Sequence, residues 1–389
     1  MQRRLTLILG VTQLVVWGLT YYVPSVMTGP VAAGLGVGAA SVLGGFSLAL
    51  LAAGLASPLA CKTIDRVGGR AVMAGGTAMQ ALGLLLMAAS PGLWCWYLGW
   101  GVTGLGMACG LYDAAFATAG RALGAAARPT ITGITMIGGF ASTLGWPLGA
   151  WLVPWLGWRE TLAVYAAILL CFNLPLLLLL PRGVPLPVVA TRSQVDAAVS
   201  GRGAFACIAA FFTVRAGIGT VISVSAPILL VGMGLSQVAA IGLVSLIGPA
   251  QVAMRVVQAA LGRHWSPAAV AWIGALLFPI VGFPLAFAGP GWVELAALLF
   301  VLGYGASNGI LTISRGTLPL HLFGPVGYAV RIGRLALPVM LAQAAAPLVS
   351  GPMVESWPAW GVFLALAVAS VVASAGLAPL LWKRGVSAR

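Results

Sequence analysis

The chain has 389 residues, of which 61% are hydrophobic and 7% charged, with a mean hydropathy of +1.05. A soluble domain is about one quarter charged, and a water-exposed surface this apolar would be adhesive throughout, so lipid is the solvent for most of the chain. The net charge of +14 would suit a nucleic-acid partner, but its distribution along the chain excludes that reading.

A membrane span needs roughly 20 apolar residues and a short loop adds roughly ten, so a chain of this length accommodates about twelve spans. They fall at 5–27, 38–61, 71–90, 93–120, 129–153, 160–181, 203–231, 236–261, 267–288, 291–314, 330–352 and 358–382. The first run is too long for a signal peptide and contains Trp17, Tyr21 and Tyr22 without a clear small-residue cleavage site. Internal prolines such as Pro24, Pro147, Pro227, Pro249, Pro338 and Pro347 need not end a span, because neighbouring helices satisfy the freed backbone groups. The 53 glycines fit close helix packing in lipid. The expected fold is an all-α membrane protein of twelve transmembrane helices.

With the N-terminus inside, the cytoplasmic segments hold Arg3, Arg4, Lys62, Arg66, Arg70, Arg121, Arg128, Arg182, Arg192, Arg202, Arg263, Arg315, Arg331, Arg334, Lys383, Arg384 and Arg389, and the outer segments hold only Arg159. This is a positive-inside signal that places both termini in the cytoplasm. Each basic cluster follows an even-numbered span, so adding or losing a span would put later clusters outside. The inner bases meet the bilayer's anionic headgroups.

The longest polar segment, 182–202, lies near the midpoint and lacks periodicity, the signature of a flexible linker. It divides the chain into a six-helix bundle at 1–182, a cytoplasmic linker at 183–202 and a second six-helix bundle at 203–389. Cys61, Cys95, Cys109, Cys171 and Cys207 form no CxxC or Cys/His cluster and read as small apolar residues. His264 and His321 match no metal motif. No cofactor is implied. The tryptophans Trp94, Trp96, Trp100, Trp155, Trp158, Trp357 and Trp360 gather at expected outer ends, as an interfacial belt would.

The stretch Cys-Lys-Thr-Ile-Asp-Arg-Val-Gly-Gly-Arg at 61–70, between spans two and three, resembles the loop G-x-x-x-D-R-x-G-R-R/K of the major facilitator superfamily. Asp65, Arg66, Gly68 and Arg70 match; Cys61 replaces the opening glycine, and Gly69 takes the first closing basic position. The six-plus-six arrangement is that family's, and Gly157-Trp158-Arg159 opening span six is common in it. The segments 104–123 (GLGMACGLYDAAFATAGRAL) and 57–73 (SPLACKTIDRVGGRAVM) look like the oxalate and monocarboxylate branch, which also has an arginine in span eight, where Arg255 stands in GPAQVAMRVVQ. The resemblance implies two pseudo-symmetric bundles with a central site near the bilayer midplane. Spans one, four, seven and ten would line it. Asp65, Arg66, Gly68 and Arg70 would form a conformational latch on the inner face.

Charge inside a membrane costs at least about 2.5–3.5 kcal/mol at a helix centre, and the charged residues deep in the expected spans, away from their ends, are Asp113, Arg215 and Arg255. Arg215 lies twelve residues beyond Gly203, about 18 Å along a helix. It is either a fixed cation for an anionic substrate or a structural partner of a carboxylate or of span-end carbonyls. Arg255 is about six residues from the inner end of its span, within reach of the interface by snorkelling; the resemblance implies contact with a carboxylate substrate. Desolvation and a nearby cation shift a carboxylate's proton affinity in opposite directions. Asp113 therefore reads as a proton-coupling group or as a packing ion pair with Arg215 or Arg255. Gln13, Trp17 and Tyr21 recur every four residues and share a helix face, as substrate contacts or as packing; Tyr112, Tyr304, Asn308 and Gln343 are further candidates of the same kind.

Two arginines against one aspartate favour an anion, and bidentate guanidinium donors match a carboxylate. The expectation is a secondary transporter of a small monocarboxylate or dicarboxylate, coupled to protons or exchanging a counter-anion, acting as a monomer in the cell membrane, a bacterial inner membrane. A multidrug or metabolite efflux pump of the same fold is the alternative. The six acids are too scattered for a membrane-embedded enzyme, and no GxxxxGK[ST] loop for ATP-driven transport is present. A passive channel would be excluded by saturable counterflow.

Overall fold

The computed structural model describes residues 1–181, 202–261 and 265–378. The linker expected at 183–202 lies outside these residues but for Arg202, the first residue of its helix; His264 also lies outside. Every regular element described is helical, as hydrocarbon demands: only a helix or a closed barrel pairs its backbone groups internally. In chain order these are α1 Gln2–Val16, α2 Val23–Leu35, α3 Ala39–Val67, α4 Gly69–Ala88, α5 Leu93–Gly110, α6 Tyr112–Leu123, α7 Arg128–Gly138, α8 Ala141–Leu156, α9 Trp158–Ile168, α10 Leu174–Leu178, α11 Arg202–Gly232, α12 Gln237–Ser245, α13 Ile247–Leu261, α14 Pro267–Ala286, α15 Val293–Phe323, α16 Tyr328–Ser356 and α17 Ala359–Ala375. π-turns at Trp17–Tyr21 and Leu169–Asn173 join α1 to α2 and α9 to α10.

Ten helical stretches among the described residues are long and apolar enough to cross a membrane. One of them, Leu93–Leu156, contains two spans, α5–α6 and α7–α8, parted by a 3-10 turn at Gly124–Ala127. With the shorter apolar helix α17, twelve crossing segments result among the described residues. The helices overrun the expected spans: the first continues to Leu35 and the tenth to Phe323. Pro147 and Pro227 sit inside helices, as expected of prolines in spans.

The chain forms two compact units, residues 1–181 with 323–344, and residues 202–322 with 345–378. In the first, Val15, Leu19, Met27, Ala53, Trp96, Trp100 and Leu162 are buried together. In the second, Ile222, Leu229, Phe278, Phe300, Tyr304 and Phe363 form the core.

Small residues set the helix spacing in the first unit. A Cβ on Gly104 of α5 would strike the Ala49 carbonyl of α3 and lie 2.7 Å from its Cα. A Cβ on Gly76 of α4 would lie 2.6 Å from Cys109 Cβ of α5. Cys61, which stands where the family loop opens with glycine, is buried, and the room is made opposite it: a Cβ on Gly333 of α16 would lie 2.7 Å from Cys61 Cβ. Gly69 is explained similarly, since a side chain there would lie 2.6 Å from Thr118 Cβ.

The tryptophans divide. Trp94, Trp155, Trp357 and Trp360 are exposed, whereas Trp96, Trp100 and Trp158 are core residues and not an interfacial belt. Trp96 and Trp100 are one helical turn apart on the face of α5 turned inward, with ring centroids at 5.9 Å, and Trp158 packs 6.1 Å from Trp96. The cysteines divide too: Cys61 and Cys95 are buried and Cys171 is exposed.

Gly104→Ala is expected to part α3 from α5 and to lower stability by about 1–3 kcal/mol, read as a lower melting temperature in detergent. Gly75→Ala, where nothing lies within 4 Å of the added Cβ, is expected to change stability by less than about 0.5 kcal/mol.

Candidate functional site

The fourth span is not the continuous helix expected at 93–120. α5 stops at Gly110, Leu111 is extended (φ −81°, ψ −172°), and α6 begins at Tyr112. Asp113 therefore lies in the first turn of a helix, 3% exposed, where the helix dipole favours negative charge. Cys61 Sγ approaches the Asp113 carbonyl at 3.9 Å.

Gln13 is fully buried beside this break. Its Nε2 donates to the Gly110 carbonyl at 2.7 Å, and its Oε1 accepts from Trp17 Nε1 at 3.2 Å. Both ends of its amide are thus held by protein atoms. Trp17 lies 4.4 Å from the Tyr21 ring and 5.0 Å from that of Tyr112, and Tyr112 is stacked on Phe116 at 5.5 Å. Gln343 Nε2 donates to Tyr21 Oη at 3.4 Å. The structure thus brings Gln13, Trp17, Tyr21, Tyr112 and Gln343 together around one helix break, with Asp113 next to it in the chain.

In the second unit, Arg215 in α11 is 6% exposed. Its guanidinium lies 4.7 Å from the centroid of the Phe278 ring, and Nη2 donates to Ser307 Oγ at 3.1 Å. Ser307 in turn donates to the Gly274 carbonyl at 2.6 Å, so its lone pairs face the arginine. Nε and Nη1 of Arg215 are buried without a hydrogen-bond partner. Tyr304, one turn before Ser307, donates to the Gly219 carbonyl at 3.3 Å. Arg255 in α13 is also buried, and its Nη2 donates to Thr312 Oγ1 at 3.3 Å, the hydroxyl of which donates to the Asn308 carbonyl at 2.7 Å. Both arginines are therefore held by hydroxyls of α15. Asn308 is half-buried and contributes this carbonyl.

Sequence reasoning passed over Ser307, Thr312 and Phe278. Ser307 was legible as the residue three beyond Tyr304, on the same helix face; Phe278 was one apolar residue among many in α14.

At the loop between α3 and α4, Gly68 has φ 92°, a left-handed conformation that suits glycine and stops α3. Asp65 and Arg66 are exposed and Arg70 is half-buried. Arg121 of α6 donates to the carbonyls of Asp65 and, at 3.3 Å, Arg66, satisfying the end of α3. Among the described residues no three of His, Cys, Asp and Glu are grouped to hold a metal ion.

A twelve-span helical protein with buried cations in its interior is of the class that moves solutes through membranes. The sequence pattern of the Major Facilitator Superfamily matches residues 5–330, and the chain belongs to that family of transporters. Solved structures match over nearly all of it. The human organic anion transporter MFSD10 (TETRAN) is 17% identical, with 97% of this chain and 99% of that chain covered and a TM-score of 0.74. The proton:xylose symporter XylE is 15% identical, covering 98% and 95%, with a TM-score of 0.74. The E. coli fucose:proton symporter FucP is 14% identical, covering 96% and 97%, with a TM-score of 0.69. No curated protein sequence matches. At these identities the likeness shows the fold.

Gln13→Leu is expected to strand the Gly110 carbonyl and the Trp17 N–H, lowering stability by about 1–3 kcal/mol. The check is the melting temperature of the purified variant.

Proposed function

We propose that the protein is a secondary active transporter of a small organic anion, a monocarboxylate or dicarboxylate as in the branch it resembles. The observation that supports this reading is Arg215: a buried guanidinium held by one hydroxyl and an aromatic ring, with Nε and Nη1 unpartnered. An unpaired charge in so dry a place is costly, and a carboxylate accepting two N–H bonds would offset that cost. Arg255 supplies the second cation.

Transport proceeds by alternating access, as a monomer in a bacterial inner membrane, with both termini cytoplasmic on the positive-inside rule. Asp113 takes and releases the coupling proton, or the carrier exchanges one anion for another. Asp65, Arg66, Gly68 and Arg70 serve as the inner latch. Gln13 positions Trp17 and the span-four break, while Trp17, Tyr21, Tyr112, Tyr304 and Asn308 belong to the solute path. The efflux alternative draws on the ring-rich neighbourhood of Asp113, which would suit an organic cation.

In proteoliposomes, labelled carboxylate uptake is expected to be saturable and to rise with a pH gradient or an opposing anion. Arg215→Gln and Arg255→Gln are each expected to cut it by about tenfold to a hundredfold, while Arg215→Lys, without the planar fork, keeps a fraction. Full transport by both glutamine variants would remove the anion reading. Asp113→Asn is expected to abolish gradient-driven uptake and spare anion exchange, measured as counterflow at equal pH.

A further inference from the structure

Two helices of the second unit carry matching polar stripes. The polar residues of α13 are Gln251, Arg255 and Gln258, and α15 carries Asn308, Thr312 and Arg315. Each set is spaced i, i+4, i+7 and so shares one helix face. The two helices meet along these stripes. Gly305 and Gly309 form a GxxxG pair, which lets helices approach closely in lipid. A Cβ on Gly305 would stand 2.7 Å from the Ile247 carbonyl oxygen, and one on Gly309 would stand 2.5 Å from that of Gln251. Arg255 donates to Thr312 at 3.3 Å. The contacts thus advance together along both segments, 247 with 305, 251 with 309 and 255 with 312. The helices therefore run parallel, and the next step sets Gln258 level with Arg315.

Arg315 falls just beyond the span expected at 291–314, yet α15 continues to Phe323 and holds it about 12 Å inside the helix end. It is half-buried, and Arg255 is buried. One helical turn separates Thr312, where Arg255 is anchored, from Arg315. α13 has no acid, and the one acid on α15, Glu294, is about 27 Å from Thr312 along the helix. The residues of this lane carry two positive charges and no negative one. Gln258 Oε1 is buried there without a hydrogen-bond partner, an acceptor that plain packing leaves at a cost.

Arg215 belongs to another face. Its partner Ser307 is about 140° around α15 from Thr312 and about 7.5 Å along it, and Arg215 comes from α11 rather than α13.

We propose that Arg255, Arg315 and Gln258 form a second anion site, distinct from Arg215, that takes a small dicarboxylate with one carboxylate on each guanidinium. The proposal rests on the anion reading above. The second acid group accepts charge-assisted N–H bonds from Arg315 that a monocarboxylate seated on Arg255 would leave unmade.

The experiment is thermal stabilisation of the purified full chain in detergent by succinate, its monoamide succinamate, its diamide succinamide and, separately, cardiolipin. Succinate is expected to half-saturate about tenfold below succinamate, the size of one further charge-assisted bond. Arg315→Gln is expected to bring that ratio towards one by weakening succinate, and Arg315→Lys, which keeps the charge, to retain part of it. The ratio is taken within each variant, so a variant's own melting temperature does not enter it. No stabilisation by succinate, a ratio unmoved by Arg315→Gln, or a cardiolipin stabilisation that Arg315→Gln removes while succinate binding stays unchanged would overturn the dicarboxylate site, the last marking a lipid-headgroup contact instead. Succinate and succinamate binding alike, and both lost in Arg215→Gln, sinks this site and leaves the anion reading. Succinamide stabilising as well as either acid sinks the anion reading, and the site falls with it.

Discussion

The Gly110 carbonyl closes α5 inside the first unit, where no water can reach it and an unpaired backbone group costs several kcal/mol. Gln13 of α1 takes that carbonyl at 2.7 Å, and much of the first unit's interior follows from the bond. It ties span one to the break in span four. It turns the other end of the same amide towards the Trp17 indole, which fixes the ring against Tyr112 on the far side of the break. Gln80 of α4 lies against Gly110, with Nε2 2.8 Å from where a Cβ would stand, so a side chain there would displace the end of that glutamine. Restarting the chain at Tyr112 puts Asp113 in a first helical turn.

The second unit meets the same rule with a charge in place of a carbonyl. Arg215 is held by a serine whose own proton is committed to Gly274, and by the face of Phe278. Neither partner carries negative charge, so the cation is held in place without being neutralised. Arg255 donates to Thr312 of the same helix as that serine. Hydroxyls on α15 orient both arginines. A lysine could not be seated in the same way, because it lacks the planar face that lies on the ring and the separate N–H groups of the fork.

Legibility in the sequence followed the range of the interaction. Spans were legible because each needs only a local run of apolar residues, and the charged residues in them were conspicuous against a background of 7% charge. The break at Leu111 was not, because Gly110 is one of 53 glycines and no proline marks it. The period-four stripe of Gln13, Trp17 and Tyr21 was read correctly as one helix face, yet its meaning differs within it: Gln13 is a buried backbone partner while the rings remain half-buried. Tyr22 joins them only because the turn is π rather than α. Trp96 and Trp100 were misplaced because nearness to a span end says nothing about which side of the helix meets protein.

What the sequence determined by itself is therefore whatever depends on composition and on position along the chain: the solvent, the all-helical class, the number of spans, the membership of the family and the identity of the few charges within the spans. What only the tertiary structure decided is whatever depends on a partner far away in the chain: that Gln13 caps Gly110, that Ser307 and Phe278 hold Arg215, and that a glycine at 333 makes room for Cys61. The physical reason is that in lipid the hydrophobic pattern records only that a segment is in the membrane, since every face of a helix is apolar there. Which face turns inward is settled by small residues and by single hydrogen bonds between helices, and these leave no periodic trace.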